Sequence, residues 1–345
     1  MMNFLSDNAY GVLPEILAAV AAAGDGTAAS YGSDELSHTL EARLAVVFET
    51  PVAAFAVISG TAANALALAT LCPPHGAIFC HAEAHIAVDE CAAPEFFTHG
   101  AKLVGIEGGD GKVTPEGLTR ALSHFLKGFV HHPQPAVLSL SQPTECGTLY
   151  KPDEIAALAA IAHVNGMKVH MDGARFANAI VALGVSAADA SWRAGVDVLS
   201  FGATKNGAMG AEAVVFFTPA DASDFAYRRK KAGHLISKMR FVSAQLVAYL
   251  ADDLWLRAAR TANGLAAKLA GGLSKLPGVT VVHAVEANEV FLRLPSELVL
   301  KLRNGGAQFY DWGPPQGEQS VIRLVTSFAT PPQDVERFVA LANSE

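Results

Sequence analysis

The fold of this chain is decided by two segments, Val169-His170-Met171-Asp172-Gly173-Ala174-Arg175 and Ser200-Phe201-Gly202-Ala203-Thr204-Lys205-Asn206-Gly207. The first is a short apolar run that ends on an acid, a glycine and an arginine. The second is another apolar run, and it ends on a single lysine among small residues. We interpret both runs as strands. A carboxylate then lies at the carboxyl end of one strand and a lone lysine at the carboxyl end of the other.

Strand-like runs alternate with helical runs on both sides of these segments. The predicted strands are Ala53–Ser59, Ala77–Cys80, Lys102–Ile106, Ala136–Leu140, Lys168–Met171, Val196–Phe201 and Ala213–Phe217. The predicted helices are Ala62–Leu71, Pro115–Phe125, Pro152–Asn165 and Phe176–Leu183. Several of the strands are continuous apolar runs, as expected of strands that are covered on both faces. The alternation predicts an α/β domain with a mostly parallel sheet.

The character of the sequence changes after residue 217. A basic run, Arg228-Arg229-Lys230-Lys231, precedes a long amphipathic pattern from Met239 to about Leu273. A short α+β tail follows, with strands near Val279–Val282, Glu289–Leu294 and Val321–Thr326. We therefore predict an N-terminal segment over residues 1–15, a large domain over 16–245 and a smaller C-terminal α+β domain over 246–345.

The composition of the 345 residues limits the classes of partner. A formal net charge of −8 argues against nucleic acid and against an anionic membrane surface. Because 51% of the residues are hydrophobic and only 17% are charged, we expect another subunit to cover much of the surface. The four cysteines show no CxxC spacing, so we expect free or buried thiols in a reducing cytoplasm. No metal site is predicted.

Two stretches resemble export or membrane signals only in part. The N-terminus lacks a basic region and meets Asp7 early, so we expect no signal peptide. The stretch from Val52 to Cys72 is uncharged and long enough to span a bilayer. It contains Ser59 and Asn64, however, and it divides into a strand and an Ala/Leu helix. We interpret this stretch as buried core.

Asp172 and Lys205 together favour pyridoxal phosphate chemistry. The lysine forms a Schiff base with the cofactor, and the acid pairs with the pyridinium nitrogen so that the ring can act as an electron sink. Taken singly, the aspartate fits a helix cap and the lysine fits a solvated loop. Ser59-Gly60-Thr61 follows a strand and opens a helix, where free backbone N–H groups and two hydroxyls suit a phosphate. The three features in this order favour the cofactor.

Histidines lie at two places that this chemistry could use. His85 follows the predicted phosphate loop and could stack on the pyridine face near the reacting bonds of a substrate. The alternative is a helix-end histidine bound to a carboxylate such as Glu90. His131-His132 precede the strand Ala136–Leu140, and one of them is a candidate base, although a bare pair of this kind is typical of a protein surface.

The ordered motifs resemble those of the low-specificity L-threonine aldolases, a family of pyridoxal phosphate enzymes with the aspartate-aminotransferase-like fold (fold type I). The resemblance covers nearly the full chain. It rests on the phosphate turn, on His85 with Glu90, and on the Asp172 and Lys205 segments described above. It also rests on Phe4-Leu5-Ser6-Asp7-Asn8, Tyr31-Gly32-Ser33-Asp34-Glu35, Leu40-Glu41 and Arg323-Leu324-Val325-Thr326-Ser327. This fold combines a large domain, built on a mostly parallel sheet, with a smaller C-terminal α+β domain.

The resemblance implies a role for each site residue. The Schiff-base lysine is Lys205, the pyridinium partner is Asp172, and the contact to the phenolic oxygen of the cofactor is Arg175. The phosphate contacts come from Ser59, Gly60 and Thr61, and from Lys238 of a neighbouring subunit, while His85 stacks on the ring. The substrate contacts that the resemblance implies are Ser6 and Arg323, which bind the carboxylate. We also predict substrate contacts from Tyr31, at the subunit boundary, and from His131. A solvated charge run is the alternative for the basic stretch that ends at Lys238.

The implied activity is the retro-aldol cleavage of L-threonine, L-allo-threonine and related β-hydroxy-α-amino acids to glycine and an aldehyde. The implied assembly is a cytoplasmic homotetramer, built from dimers, in which subunits share active sites. Phe4, Asn8 and the segment Ser141-Gln142-Pro143-Thr144 depart from the family pattern, and they bear on the substrate contacts. A β-eliminating lyase or aminotransferase of the same fold is the alternative, because fold and cofactor do not set the reaction. A non-catalytic protein that retains the fold is a further alternative.

Overall fold

The structure is a computed structural model, and it describes residues 1–344. In chain order, the α-helices α1 to α13 are Pro14–Ala22, Glu35–Val47, Gly60–Leu71, His85–Val88, Ala93–Phe97, Pro115–Leu122, Pro152–Val164, Phe176–Leu183, Phe225–Lys231, Arg240–Tyr249, Leu254–Leu273, Ser296–Asn304 and Pro332–Asn343. The strands β1 to β13 are Met2–Asn3, Ala53–Val57, Gly76–His81, Lys102–Ile106, Gln134–Ser141, Lys168–Gly173, Val198–Gly202, Glu212–Phe216, Thr280–Val281, Glu289–Pro295, Ala307–Gln308, Tyr310–Asp311 and Gln319–Val325. Short 3₁₀-helices are Asp7–Ala9, Gly109–Gly111, Trp192–Ala194, Thr204–Asn206, Pro219–Ala222 and Ala251–Asp253.

A seven-stranded sheet, ordered β2-β8-β7-β6-β5-β3-β4, forms the centre of the large α/β unit. The strands from β7 to β4 in this order are parallel, and β8 runs antiparallel to both of its neighbours. The predicted α/β architecture with a mostly parallel sheet is therefore confirmed. Because β5, β6 and β7 are parallel, their carboxyl ends lie at one edge of the sheet.

Both faces of this sheet are covered, which explains the continuous apolar runs. Successive side chains of a strand point to opposite faces. In β7, Val198 accordingly packs in the core on the side of α3, and Leu199 packs in the main core on the other side. Helix α3 is buried all round from Ala62 to Ala69, so the uncharged stretch divides into a strand and a core helix, as predicted. Within residues 1–344, none of the helices has both the length and the apolar character that crossing a membrane would require.

A second core lies in the C-terminal part of the chain. Its four-stranded sheet has the order β12-β13-β10-β9 and is antiparallel. The N-terminal segment joins this core, because β1 pairs in parallel with β11 and the fully buried ring of Phe4 packs edge-on against Phe338 at 5.2 Å. The chain ends are thus held together next to the large unit. The division at residues 15 and 245 stays a prediction.

The amphipathic pattern from Met239 to Leu273 is not one continuous element. It forms α10 and α11, which are separated at Asp252 and Asp253, where φ is 49° and 55°. Aspartate tolerates this left-handed backbone better than most residues, so the helix direction changes there. The apolar periodicity continues across the break because both helices face apolar cores.

Candidate active site

A cavity of about 350 Å³ opens where β5, β6 and β7 end. Of the residues predicted from the sequence, its walls contain Ser59, Gly60, Thr61, His85, Asp172, Arg175 and Lys205. These residues come from four separate parts of the chain. The structure therefore brings together the lysine, the strand-end acid, the arginine, the histidine and the phosphate turn that the sequence singled out.

The turn before α3 has the geometry of an anion cradle. Ser59 is the extended N-cap residue of α3, and its hydroxyl accepts a hydrogen bond from the Ala62 N–H at 3.3 Å. The first N–H groups of a helix otherwise lack partners, and the helix dipole favours a negative charge there. At Gly60 a Cβ atom would meet no protein atom within 4 Å, so the space beside this backbone is open. An anionic group fits this space.

Lys205 lies in the 3₁₀ turn that follows β7, and the backbone on both sides of it is fixed. Asn206 donates to the Tyr249 hydroxyl at 2.7 Å and to the Trp255 carbonyl at 2.8 Å. The Ala203 N–H donates to Glu212 Oε2 at 2.8 Å. Within residues 1–344 no carboxylate lies within 4.0 Å of Lys205 Nζ, so this half-buried amine is free for a ligand.

Asp172 and His85 belong to one hydrogen-bonded chain. Asn64 Nδ2 donates to Asp172 Oδ2 and to Glu90 Oε1, both at 2.8 Å. Glu90 Oε1 also accepts from His85 Nδ1 at 2.8 Å, which leaves His85 Nε2 as the outer ring nitrogen. This hydrogen bond to Glu90 raises the pKa of His85 although burial opposes it. The pairing with Glu90 that the sequence left as an alternative is therefore present, and His85 lines the cavity as well.

Asn64 was not predicted as a site residue. The signal that could have found it is an amide in an otherwise Ala/Leu helix, one turn after the phosphate loop. The ligand atoms of His85, Glu90 and Asp172 lie within 4.8 Å of one another, close enough to hold a metal ion. Both carboxylates already accept from Asn64, and His85 Nδ1 faces Glu90. The donor set therefore suits an organic ring better than a cation.

Arg175 is held by two carboxylates that the sequence did not identify. Its Nε lies 2.6 Å from Asp7 Oδ2, and its Nη1 lies 3.2 Å from Glu289 Oε2. Asn288 Nδ2 donates to Asp7 Oδ2 at 3.0 Å. Burial would raise the pKa of Asp7, but the charge and hydrogen bond of Arg175, with the charge of Lys205, outweigh burial and lower it. These contacts join the N-terminal segment, β6 and β10 beside the cavity.

We expect Asp7→Ala to lower the free energy of unfolding by about 3 kcal/mol, because removing one partner of a buried ion pair leaves the other charge poorly compensated. Since the folded-state pKa of Asp7 is lowered, its contribution is present above the unfolded pKa and is lost as the pH falls through the folded pKa. Urea unfolding of the parent protein and of Asp7→Ala should therefore show a difference in the free energy of unfolding that becomes smaller as the pH is lowered.

The control for this prediction is Asp189→Ala. Asp189 pairs with Arg193 at 3.0 Å, but both side chains are largely exposed. Surface pairs contribute little to stability, so this variant should unfold almost like the parent protein. Equal effects of the two substitutions would contradict the importance that we assign to the buried pair.

Ser6 and Arg323 do not line the cavity, but the structure brings them together. Ser6 Oγ accepts from the Asn8 N–H at 3.1 Å and caps the 3₁₀ turn of Asp7. Arg323 Nη2 donates to the carbonyl of Leu5 at 3.5 Å. The Arg323 guanidinium lies over the rings of Tyr310 and Trp312, and its Nη1 is 4.0 Å from Glu289 Oε1. Arg323 is thus linked to Arg175 through Glu289.

Tyr31, Lys238 and His131 lie away from the cavity of their own chain. Tyr31 is 48% exposed, with Lys230 Nζ 4.2 Å from its ring centroid, and its N–H donates to the carbonyl of Ser237, next to the exposed Lys238. His131 precedes β5, so it lies at the amino end of the strand whose carboxyl end forms the cavity wall. Within a single chain, the eight-residue strand β5 separates His131 from that edge by about 25 Å. The assignment of His131 to substrate binding stays a prediction, which the geometry of one chain does not support.

Several lining residues were missed by reasoning from the sequence. They are Asn64, Glu145, Thr204 and Glu212, whereas Asn8, Glu90, Ser141 and Thr144 were noted in the sequence without an assigned site role. Burial raises the pKa of Glu212 to about 7 although it accepts hydrogen bonds from Thr204 and Ala203. Ser141 is the last residue of β5 and Glu145 lies in the loop that follows, so the rule that ligands meet the carboxyl ends of parallel strands could have found them.

The comparisons with known proteins agree with this site. A model of the beta-eliminating lyase family matches residues 3–296. The chain is 44% identical to a low specificity L-threonine aldolase of Pseudomonas aeruginosa over 340 residues, which cover 99% of this chain and 96% of the relative. It is 43% identical to the enzyme of the same name from a Pseudomonas strain, over 89% of this chain and 88% of the relative.

A solved structure of Leishmania major threonine aldolase superimposes with a TM-score of 0.93 at 26% identity, covering 99% of this chain and 98% of that one. The sequence comparison and the structure comparison therefore both match this chain to threonine aldolases over nearly its full length. The chain belongs to the beta-eliminating lyase family and, within it, to the low-specificity L-threonine aldolases.

Proposed function

We propose that the protein is a pyridoxal 5′-phosphate-dependent lyase that cleaves L-threonine, L-allo-threonine and related β-hydroxy-α-amino acids to glycine and an aldehyde. The observation that carries this function is a single cavity that holds an amine without a carboxylate partner, a buried strand-end acid and an anion cradle: Lys205, Asp172 and Ser59–Thr61. When bound, the cofactor supplies an electron sink for the bond that breaks at Cα.

The residues present fit this cofactor. The N-terminus of α3 suits its phosphate, where the space beside Gly60 is open. The amine of Lys205 would form the Schiff base with the cofactor, and the carboxylate of Asp172 would pair with the ring nitrogen. In the same cavity, Asn64 Oδ1 and Glu90 Oε2 are buried without a hydrogen-bond partner among residues 1–344, as expected of a site whose polar atoms face a ligand. His85 would cover one face of the ring, with its Nδ1 held by Glu90.

The substrate carboxylate is assigned to Arg323, with Ser6 beside it. A guanidinium fork can bind a carboxylate through two parallel hydrogen bonds. Arg323 Nε is buried without a partner, and Glu289 Oε1 at 4.0 Å from Nη1 is too distant for a close ion pair. The aromatic rings of Tyr310 and Trp312 hold the guanidinium in position. Binding of the carboxylate at Arg323 would fix the orientation of the substrate about Cα, and this orientation determines which bond at Cα breaks.

The test is incubation of the purified protein with pyridoxal phosphate and a panel of β-hydroxy amino acids, with glycine and aldehyde measured together. A second candidate, a β-eliminating lyase or an aminotransferase, is supported by the match to the beta-eliminating lyase family. It predicts release of an α-keto acid, or amino transfer to an added α-keto acid. Absence of the visible absorbance band of imine-bound pyridoxal would point instead to a protein that retains only the fold.

We further propose a cytoplasmic homotetramer, built from dimers, that shares its active sites between subunits. The four cysteines are free, as in a reducing compartment. Arg229 is half-buried next to Gly32, in a second cavity of about 210 Å³, and its partial burial lowers its pKa to about 10. Within residues 1–344 its guanidinium has no carboxylate partner and donates only to the Ala56 carbonyl, at 3.2 Å. This cationic face, with Tyr31 and Lys238 nearby, suits an anion that belongs to another chain.

A shared site predicts complementation between two inactive variants, Lys205→Ala and Lys238→Ala. A mixed dimer contains one chain of each variant. One of its two sites takes an intact Lys205 from the Lys238→Ala chain and an intact Lys238 from the Lys205→Ala chain. Random exchange across a two-fold axis should therefore restore about a quarter of the parental activity. The mixture is assayed for aldehyde release after subunit exchange, and a mixture held without exchange is the control. No recovery after proven exchange, or an active monomer in sedimentation, would refute the shared site.

A further inference from the structure

Glu145 is a carboxylate of the cavity wall that none of the roles above uses. It follows β5 in the loop of residues 142–148, and this loop is fixed at several points. Thr144 and Thr148 both donate to the carbonyl of Asp110, at 3.0 and 2.7 Å. Gln142 exchanges two hydrogen bonds with the backbone of Tyr150. Glu145 is therefore carried on rigid backbone, which suits a group with a defined position.

The two oxygens of Glu145 differ in their surroundings. Oε1 accepts from the Ser141 hydroxyl at 2.7 Å and from the His85 N–H at 2.8 Å. Oε2 is buried and has no hydrogen-bond partner among residues 1–344. Burial, together with the charge of Asp172, raises the pKa of the Glu145 carboxyl against the hydrogen bonds of Ser141 and His85. A buried, unpartnered carboxylate oxygen is a better proton acceptor than a solvated one.

The other acids of the cavity are committed elsewhere. Asp172 and Glu90 are joined through Asn64 on the side of the proposed ring nitrogen, and Glu90 also holds the His85 ring. Glu212 accepts from the backbone of Ala203 behind the lysine turn. Glu145 shares no hydrogen bond with Asn64, Asp172 or Glu90, and it contacts His85 through the backbone N–H of that residue. Glu145 is thus a carboxylate of the cavity wall, beside His85, that is not paired with the Asn64 amide or with the lysine turn.

We propose that Glu145 is a catalytic residue of the aldol cleavage, and that its Oε2 accepts the proton of the substrate β-hydroxyl group. The inference rests on the proposed function. The O–H bond breaks and the proton goes to Oε2, while the oxygen forms the C=O bond of the aldehyde. The Cα–Cβ bond breaks and its electron pair remains with Cα, for which the cofactor, when bound, would supply the electron sink. A proton is then added to Cα to give glycine, and Glu145 releases its own proton to water. No oxidant or reductant is required.

The test uses Glu145→Gln, which keeps the shape of the side chain and removes its basicity. Cleavage of L-threonine and L-allo-threonine should fall about a hundredfold, the lower end of what a general base contributes. Exchange of the α-hydrogens of glycine in deuterated water should be unchanged, because glycine has no β-hydroxyl group. The affinity for pyridoxal phosphate and borohydride trapping at Lys205 should also be unchanged. These two readouts do not depend on turnover.

The matched control is Glu95→Gln. Glu95 likewise has a buried Oε2 without a partner among residues 1–344, but it does not line the cavity. This variant should keep both cleavage and glycine exchange. If Glu145→Gln fails to bind the cofactor, Glu145→Asp is measured by the same readouts, because it keeps the carboxyl group.

The outcomes separate the hypotheses. Lost cleavage with retained glycine exchange supports Glu145 as the base. An equal loss of both reactions indicates a structural role and overturns the proposal, as does cleavage at the parental rate. A parent protein that exchanges glycine hydrogens but cleaves no β-hydroxy amino acid would instead refute the proposed function itself.

Discussion

Lys205→Ala should contain no cofactor that borohydride can trap, and it should not cleave β-hydroxy amino acids. The reason is covalent: the amine of Lys205 is the one nucleophile in the cavity wall, among residues 1–344, that can form an imine with the cofactor aldehyde. The turn that carries it is fixed by Asn206 and Glu212 through backbone and side-chain hydrogen bonds. Removal of the side chain beyond Cβ should therefore leave the fold intact.

The measurement is reduction with borohydride, followed by peptide mapping of the labelled lysine. The control is Lys102→Ala, because Lys102 is exposed at the beginning of β4. Its position is the amino end of a sheet strand, opposite the edge that forms the cavity. This variant should trap cofactor like the parent. Trapping at a second lysine in folded Lys205→Ala, with activity retained, would show that the assignment of Lys205 is wrong.

Asp172→Asn should fold and bind cofactor but lose cleavage by about two to three orders of magnitude, the effect typical of removing a preorganised charge that stabilises the transition state. Asp172 is buried, with Oδ1 accepting from the Ala174 N–H at 3.0 Å and Oδ2 accepting from Asn64 at 2.8 Å. A neutral amide keeps the size of the side chain. It does not compensate a positive charge on the ring nitrogen, so the sink for electrons is weakened.

The measurement is the rate of aldehyde release at saturating cofactor, with borohydride trapping at Lys205 as the check on binding. A folded, cofactor-loaded Asp172→Asn that cleaves near the parental rate would contradict the role of Asp172. If cofactor binding is lost together with activity, the aspartate acts mainly in binding. The cofactor dissociation constant reports the role of Asp172 in binding, and the rate of aldehyde release by the cofactor-loaded protein reports its role in catalysis.

Most of the site framework could be predicted from the sequence because of one geometric rule. Parallel strands that are covered on both faces appear as apolar runs, and their carboxyl ends meet at one edge of the sheet. Asp172 at the carboxyl end of β6 and Lys205 in the turn after β7 are therefore expected to be neighbours, and both line the cavity. Ser59 could be predicted as a helix start because a hydroxyl residue before an apolar helical run is an N-cap signal.

Other features could not be predicted, because the local pattern does not fix the three-dimensional position. The periodicity of the pattern from Met239 to Leu273 is helical, but it does not reveal that Asp252 and Asp253 adopt left-handed backbone and divide it. His131 lies close in sequence to a strand of the site, yet at the wrong end of that strand. Its place before β5 already indicates the amino end, but one chain does not show what a neighbouring subunit brings to that end.

The α/β class follows from the alternation of strand-like and helical runs in the sequence. The lysine, the acid and the phosphate turn could be predicted because each is a local pattern placed at a strand or helix end. Only the tertiary structure decided that Asp7, Arg175 and Glu289 form one buried ion-paired group, and that Glu145 reaches the cavity beside His85. These contacts join residues that are far apart in the chain. They depend on how the N-terminal segment and the C-terminal sheet pack against the large unit, and packing is a property of the whole fold.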